Sequence, residues 1–164
     1  MCAQTLDGRI AKASGEFIDW TGRQDKTLFA RETKKAGVVV MGHNTYKTIG
    51  KPLKDRLNIV LTSTTADKIS EPGVLEYTCA HPTRILEDLE ERNFKTIFVI
   101  GGAVINALFL KAKLVDEVWL SLVPKIFGEG ISLTDELGAD INLELLSTEN
   151  FSGGLIFVKY KVLK

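Results

Sequence analysis

Cysteine is nearly absent from this chain of 164 residues. Cys2 and Cys79 stand 77 positions apart with no metal-ligand spacing around either, a pattern of a reduced cytoplasmic protein rather than a disulfide-stapled secreted one. Histidine is as scarce: His43 and His81 lie too far apart to seed a histidine metal cluster, and no metal site is expected. Excess charge is lacking, with 21 basic residues against 21 acidic ones. That balance argues against a nucleic-acid partner held by bulk charge and leaves a local basic pocket open. No long apolar run exists either. The longest, Ile97 to Leu110, is broken by Gly101-Gly102 and Asn106, and a membrane helix needs about 20 apolar residues. The opening MCAQTLDGRIA has no apolar core of signal-peptide length. Neither a G-x-S-x-G nor a Cys-His nucleophile pattern is present. The expectation is a soluble cytoplasmic protein with no membrane or nucleic-acid partner, monomeric or weakly dimeric.

What is there suffices for a core. Apolar residues make up 45% and charged residues 26%, and a chain near this length buries about 70% of its unfolded surface. No repeat or linker divides it, so residues 1–164 read as a single domain. Gly37–Met41, Leu57–Leu61 and Thr96–Ile100 are short β-rich runs between polar turns, as buried parallel strands are. Helical patterns lie between them. Thr21 with Gln24 suggests a capping box opening a helix to Lys35, with Leu28 and Phe29 inward. Pro82–Asn93 places Ile85, Leu86 and Leu89 on one face, and Gly102–Lys111 is a short apolar helix. Val115–Pro124 follows as a strand, and Leu143–Ser147 with Leu155–Val162 forms a C-terminal antiparallel hairpin. The predicted architecture is α/β, with a mostly parallel mixed sheet flanked by helices.

Two β-α turns draw attention. In TIFVIGGAVINALFL two glycines join a strand to a helix, letting backbone approach a ligand while helix amides attract a phosphate; a tight turn needs glycine in any case. Met41-Gly42-His43-Asn44-Thr45 follows the same logic, although Asn44 or Thr45 as a plain helix cap explains it equally. Together, at the carboxyl ends of parallel strands, the two turns suit a dinucleotide better than a single phosphate. Asp25 sits five residues after Trp20 and one helical turn before Phe29. There a carboxylate is partly desolvated and prepared to work as a proton donor or hydrogen-bond anchor; the alternative is a first-turn acid complementing the helix dipole. Arg56, before Leu57–Leu61, offers a fork for carboxylate or phosphate, or is a solvated loop arginine.

These residues form a wider pattern. W-x4-D-x3-F (Trp20, Asp25, Phe29), the block MGHNTYKTIGKPLKDRLNIVLT and IGGAVINALFL resemble the dihydrofolate reductase superfamily almost end to end. TLDGRIA, WTG and LVDE are similar to its riboflavin-biosynthesis branch. The resemblance implies NADPH as cofactor. Gly42, His43, Asn44 and Thr45 would cradle its phosphates, and Thr62-Ser63 would lie near its 2′-phosphate. Ile100, Gly101 and Gly102 would approach the nicotinamide across a cis Gly-Gly peptide, with Ala103, Val104 and Ile105 continuing the site. Ala3, Ile10 and the loop Lys12 to Trp20 would close over it. Asp25 and Trp20 would be catalytic, with Phe29 packing on the pterin and Ser121 behind the acid. Thr48, Ile49 and Leu53 would wall the substrate, and Arg56 would grip its carboxylate. The implied activity is reduction of 7,8-dihydrofolate to tetrahydrofolate. Rival readings are a riboflavin-pathway reductase of a phosphoribosylamino-pyrimidine and a non-catalytic nucleotide-binding domain. Some residues depart from the family pattern: His43 and Val104 replace arginines, Asn106 replaces a tyrosine, and Met1 falls inside the first strand, which is thereby shortened.

Overall fold

The structure, a computed structural model, describes residues 1–164. The chain opens with strands β1 (Cys2–Thr5) and β2 (Arg9–Ala11), then helix α1 (Gly22–Ala36), strand β3 (Val38–Gly42) and helix α2 (His43–Ile49). Strands β4 (Leu57–Leu61) and β5 (Leu75–Thr78), helix α3 (Pro82–Glu91), strand β6 (Phe98–Val99) and helix α4 (Ala103–Lys111) follow. Strands β7 (Glu117–Val123), β8 (Ile131–Ser132), β9 (Leu143–Asn150) and β10 (Ile156–Val162) complete it.

Every residue of β3 and β4 is buried, which is why both read as unbroken apolar runs. Alternate side chains serve opposite layers. Val38 and Val40, with Leu57, Ile59 and Leu61, pack on Ile85 and Leu89 of α3 and Phe109 of α4. Val39, Met41 and Val60 face Ala36 of α1 and Tyr46 and Ile49 of α2. Leu89 has no exposed surface, so truncating it to alanine would cost about 2–5 kcal/mol.

The strands form a four-stranded parallel sheet, β5-β4-β3-β6, and a second sheet, β1-β7-β10-β9, in which β1 and β7 are parallel and the rest antiparallel. The predicted mixed sheet and C-terminal hairpin are both present, with a break between β6 and β1. There the Met1 amino group donates to the Val99 carbonyl at 2.8 Å, and the rings of Phe98 and Trp119 meet edge-on at 5.0 Å. That bond comes from the residue before β1, which itself starts at Cys2.

Local readings need three corrections. Thr21 makes no side-chain cap: its backbone is already helical (φ −78°, ψ −19°), and α1 starts at Gly22. Gln24 is drawn away from the helix end, its amide donating to the Ser152 hydroxyl. Strand β5 was not anticipated, because LEYT has a glutamate in a four-residue run. The ribbon of β2 with β8 was likewise invisible, being held by cross-chain pairing rather than by pattern. At the other end of α1, Gly37 at φ 77° returns its N–H to the carbonyls of Thr33 and Lys34, closing the helix as a left-handed glycine does.

Candidate active site

Parallel pairing of β3 with β6 puts Gly42 and Gly101 side by side at the carboxyl ends of their strands. The Gly42 N–H donates to the Gly101 carbonyl at 2.8 Å, and Ile100 N–H to Val40 at 2.9 Å. The Gly101–Gly102 peptide is cis. Gly42 opens α2 and Gly102 opens α4, and neither helix has a side-chain cap, so first-turn amides are left for a ligand. Gly42 has no room for a side chain, whereas Gly102 is only in ordinary contact. A Cβ at Gly42 would stand 2.8 Å from Ile105 Cγ1, and one at Gly102 would stand 3.4 Å from Thr45 Oγ1.

A cavity of about 670 Å³ opens at these turns. The strand ends and helix starts give it Gly42, His43, Asn44 and Thr45, then Ile100, Gly102, Ala103, Val104 and Ile105. Thr62 and Ser63 come from the end of β4, where the Thr62 hydroxyl donates to Thr64 O at 3.0 Å and turns the chain back. Helix α1 contributes Asp25 and Phe29, and the segment after α2 begins contributes Thr48, Ile49 and Leu53. Ala3, Ile10 and the loop from Ala13 to Ile18 close the space. Two β-α turns far apart in sequence, a carboxylate and an apolar wall thus share one cavity.

Asp25 is 8% exposed and enters no ion pair. Its cavity neighbour Cys2 is held neutral: burial, with the Asp25 charge adding to it, pushes the thiol up to about 11. His43 is pulled below its ordinary range by desolvation and then by the positive charges of Lys68 and Lys47. The cations at this turn near neutral pH are therefore the two lysines, not the imidazole.

Four of the anticipated residues lie outside the cavity wall. Gly101 stands behind Gly42, its carbonyl taken by that amide. Trp20 packs edge-on against Phe127, ring centroids 5.0 Å apart, with its indole N–H buried and unpartnered. Ser121, 1% exposed, is paired across the sheet with Ala3, and its hydroxyl has no partner. Arg56 is the substantive departure. Its Nη1 donates to the buried Thr33 hydroxyl and its Nε to the Lys54 carbonyl at 2.9 Å, so the guanidinium ties α1 to the start of β4. Asn58 fixes the same segment, accepting from Leu53 N–H at 2.9 Å and donating to Leu53, Arg56 and Val74 carbonyls. Sequence reasoning missed Cys2, Lys26 and Ile131, which also line the cavity. Ile131 arrives through the β2–β8 ribbon and left no signal to find.

The sequence matches the model of a protein family described as RibD C-terminal domain over residues 1–157. It is 31% identical over 145 residues to dihydrofolate reductase type A13 of Escherichia coli, covering 88% of this chain and 81% of that one. Two solved structures share the fold. One is a diaminohydroxyphosphoribosylaminopyrimidine deaminase/5-amino-6-(5-phosphoribosylamino)uracil reductase from Thermotoga maritima (TM-score 0.79, 19% identity, 99% of this chain and 55% of that chain). The other is dihydrofolate reductase from Enterococcus faecalis complexed with NADP(H) (TM-score 0.74, 23% identity, 99% and 94%).

Proposed function

The chain belongs to the RibD C-terminal domain family, within the dihydrofolate reductase-like superfamily, and on that premise we propose that it reduces 7,8-dihydrofolate to tetrahydrofolate with NADPH. The observation that carries this reading is Asp25: a buried, unpaired carboxylate in the cavity wall, one helical turn from Phe29 and sharing the wall with Ile49 and Leu53. The cavity suits a nicotinamide dinucleotide, because two β-α turns without side-chain caps, at Gly42 and at Gly102, share its wall. When bound, NADPH supplies the hydride that the reaction delivers to C6 of the pterin. Everything else falls to the protein. The uncapped starts of α2 and α4 hold phosphate oxygens with their amides, and Lys68 and Lys47 give that end its positive charge. Asp25 hydrogen-bonds the amino group and ring nitrogen of the pterin, fixes its face, and assists proton delivery to N5. Phe29, Ile49 and Leu53 bury the ring, and the 12–20 loop excludes water.

One observation favours a second reading, the phosphoribosylamino-pyrimidine reductase: Arg56, the residue a folate carboxylate would call on, is engaged with Thr33 and Lys54 instead. The decisive experiment follows NADPH absorbance with dihydrofolate and, separately, with the pyrimidine substrate. Turnover with dihydrofolate that collapses in Asp25→Asn is the expected result. Turnover with the pyrimidine alone replaces the folate reading, and saturable NADPH binding without turnover of either leaves a nucleotide-binding domain.

A further inference from the structure

Asp7, in the TLDGRIA stretch, has no place in the cavity wall, yet its carboxylate is fully engaged. The Thr5 hydroxyl donates to Oδ1 at 2.5 Å, the Phe127 N–H to Oδ1 at 3.1 Å and the Gly128 N–H to Oδ2 at 2.8 Å. One side chain thereby fixes a segment 120 residues further along the chain. That segment meets the loop over the cavity at two points. The Phe127 ring lies edge-on to Trp20 at 5.0 Å, with Lys12 Nζ 5.2 Å from its centroid. Gly130, at φ +130°, lies so close that a Cβ there would be 2.4 Å from the Ala11 carbonyl oxygen. Lys12 and Trp20 are the two ends of the loop whose Ala13, Ser14, Gly15, Glu16 and Ile18 line the cavity. Within the loop, Glu16 accepts from the N–H groups of Lys12 and Ala13 at 2.8 and 3.3 Å, making it a tied unit.

We propose that Asp7 is a positioning residue: by clamping the amides of Phe127 and Gly128 it sets Phe127 against Trp20 and holds the 12–20 loop closed over the cavity. The clamp needs a carboxylate, which accepts at both oxygens. Asparagine offers one acceptor and turns an NH₂ toward the remaining amide. Glycine at 130 serves the same closure, since any side chain would push the platform off Ala11. The effect on turnover rests on the reductase reading above; the effect on the loop does not.

The test uses Asp7→Asn and Phe127→Leu, each in a Trp119→Phe background so that Trp20 is the sole indole. Both should increase acrylamide quenching of Trp20 and red-shift its emission, while far-ultraviolet circular dichroism stays native. Both should lower turnover by about ten- to a hundred-fold, as loss of water exclusion and alignment does, with KM for dihydrofolate changed by less than about three-fold. Phe127→Leu leaves the Asp7 hydrogen bonds in place, so it reports on the ring contact without the clamp. Native Trp20 emission and quenching in both folded variants would overturn the proposal, leaving Asp7 as a turn carboxylate. Should Asp7→Asn fail to fold, unchanged Trp20 signals in Phe127→Leu would overturn it equally. If the parent turns over neither substrate, the folate reading falls, and the fluorescence arm still decides the clamp.

Discussion

Replacing Gly42 with alanine isolates the packing of the two glycine turns from their backbone conformation. Gly42 has φ −81° and ψ 156°, which any residue adopts, so the backbone imposes no penalty. The cost comes from one methyl group. Its carbon would stand 2.8 Å from Ile105 Cγ1 and 3.5 Å from Cδ1. Carbon atoms prefer about 3.5–4.0 Å, so Ile105 must retreat by roughly 0.7 Å or more. Ile105 is β-branched and helical, with essentially one χ1 rotamer open to it, and it is packed against the Val38–Phe109 core cluster. Overpacking of this kind costs about 1–3 kcal/mol, which lowers Tm by roughly 2–12 °C in a chain of this size. Helix α4 starts two residues before Ile105, so displacement carries the Gly102 turn away from Thr45 and NADPH affinity should fall about ten-fold. Differential scanning calorimetry and fluorescence titration read the two effects. Ile105→Ala in the same chain removes the opposing atoms, so the double variant should be more stable than the sum of the single changes by about 1 kcal/mol or more. A Gly42→Ala protein with the parent Tm and NADPH affinity refutes the reasoning, because the turns would then have slack that the 2.8 Å approach denies.

Asp25→Asn keeps shape and hydrogen bonding but removes the acid; dihydrofolate turnover near pH 7 should fall by about 10²–10⁴-fold with NADPH affinity unchanged, and parent-like rates from about pH 5 to 9 would leave Asp25 a helix-dipole carboxylate. Arg56→Leu strips donors from Lys54 O and the Thr33 hydroxyl and should cost about 1–3 kcal/mol in urea unfolding, with KM for dihydrofolate rising less than three-fold or so; a ten-fold rise would show that the guanidinium grips the substrate. Because desolvation and the charges of Lys68 and Lys47 pull His43 below its ordinary range, the NADPH:NADH preference should change little between about pH 7 and 9 and drop about three- to ten-fold in Lys68→Met, which dissociation constants for both nucleotides would check. The Asp7 carboxyl is held down to about 2, first by the Thr5 hydroxyl and then by the Gly128 and Phe127 amides. Its contribution to stability is therefore complete above the ordinary carboxylate range and lost as pH falls from about 4 to 2. Acid-unfolding curves of Asp7→Asn should lack that part of the pH dependence, and an unchanged slope would refute it.

The central sheet was legible because its signal is local. Val38–Met41 and Leu57–Leu61 are apolar at nearly every position, as strands covered on both faces must be, and Ile85 and Leu89 fall one helical turn apart on the face that meets them. Elements shorter than their own period carry no such signal. Strand β8 has two residues, too few to show alternation, and β2 exists because Arg9 and Ala11 find Ser132 and Ile131 across the chain. The Thr21–Gln24 pattern misled for a related reason. Gln24 has a choice of partners, and Ser152, 128 positions away, offers the better-placed hydroxyl.

The site divides along the same line. Gly42 and Gly102 could be placed in advance because each stands between a strand and a helix; the structure adds that a Cβ at Gly42 would meet Ile105 and that Gly42 N–H and Gly101 O meet. Asp25 could be placed because Phe29 lies one turn along α1 and shares the cavity, whereas Trp20 packs on Phe127 outside it. Arg56 shows what spacing cannot carry. A guanidinium has five donors and a long stem, so its position in sequence fixes where it starts and not what it holds. Thr33, one turn along α1 from Phe29, is what turns it inward: its hydroxyl donates to Phe29 O at 2.6 Å and accepts from Arg56. The same hydroxyl that is tied to α1 thus holds the guanidinium away from the cavity. Thr33→Val, which keeps the shape and removes the acceptor, should free the guanidinium and lower KM for a carboxylate-bearing substrate while leaving KM for one without a carboxylate unchanged. Equal KM shifts for both would mean that Thr33 acts on α1 alone, and Arg56 would remain a tie between α1 and β4.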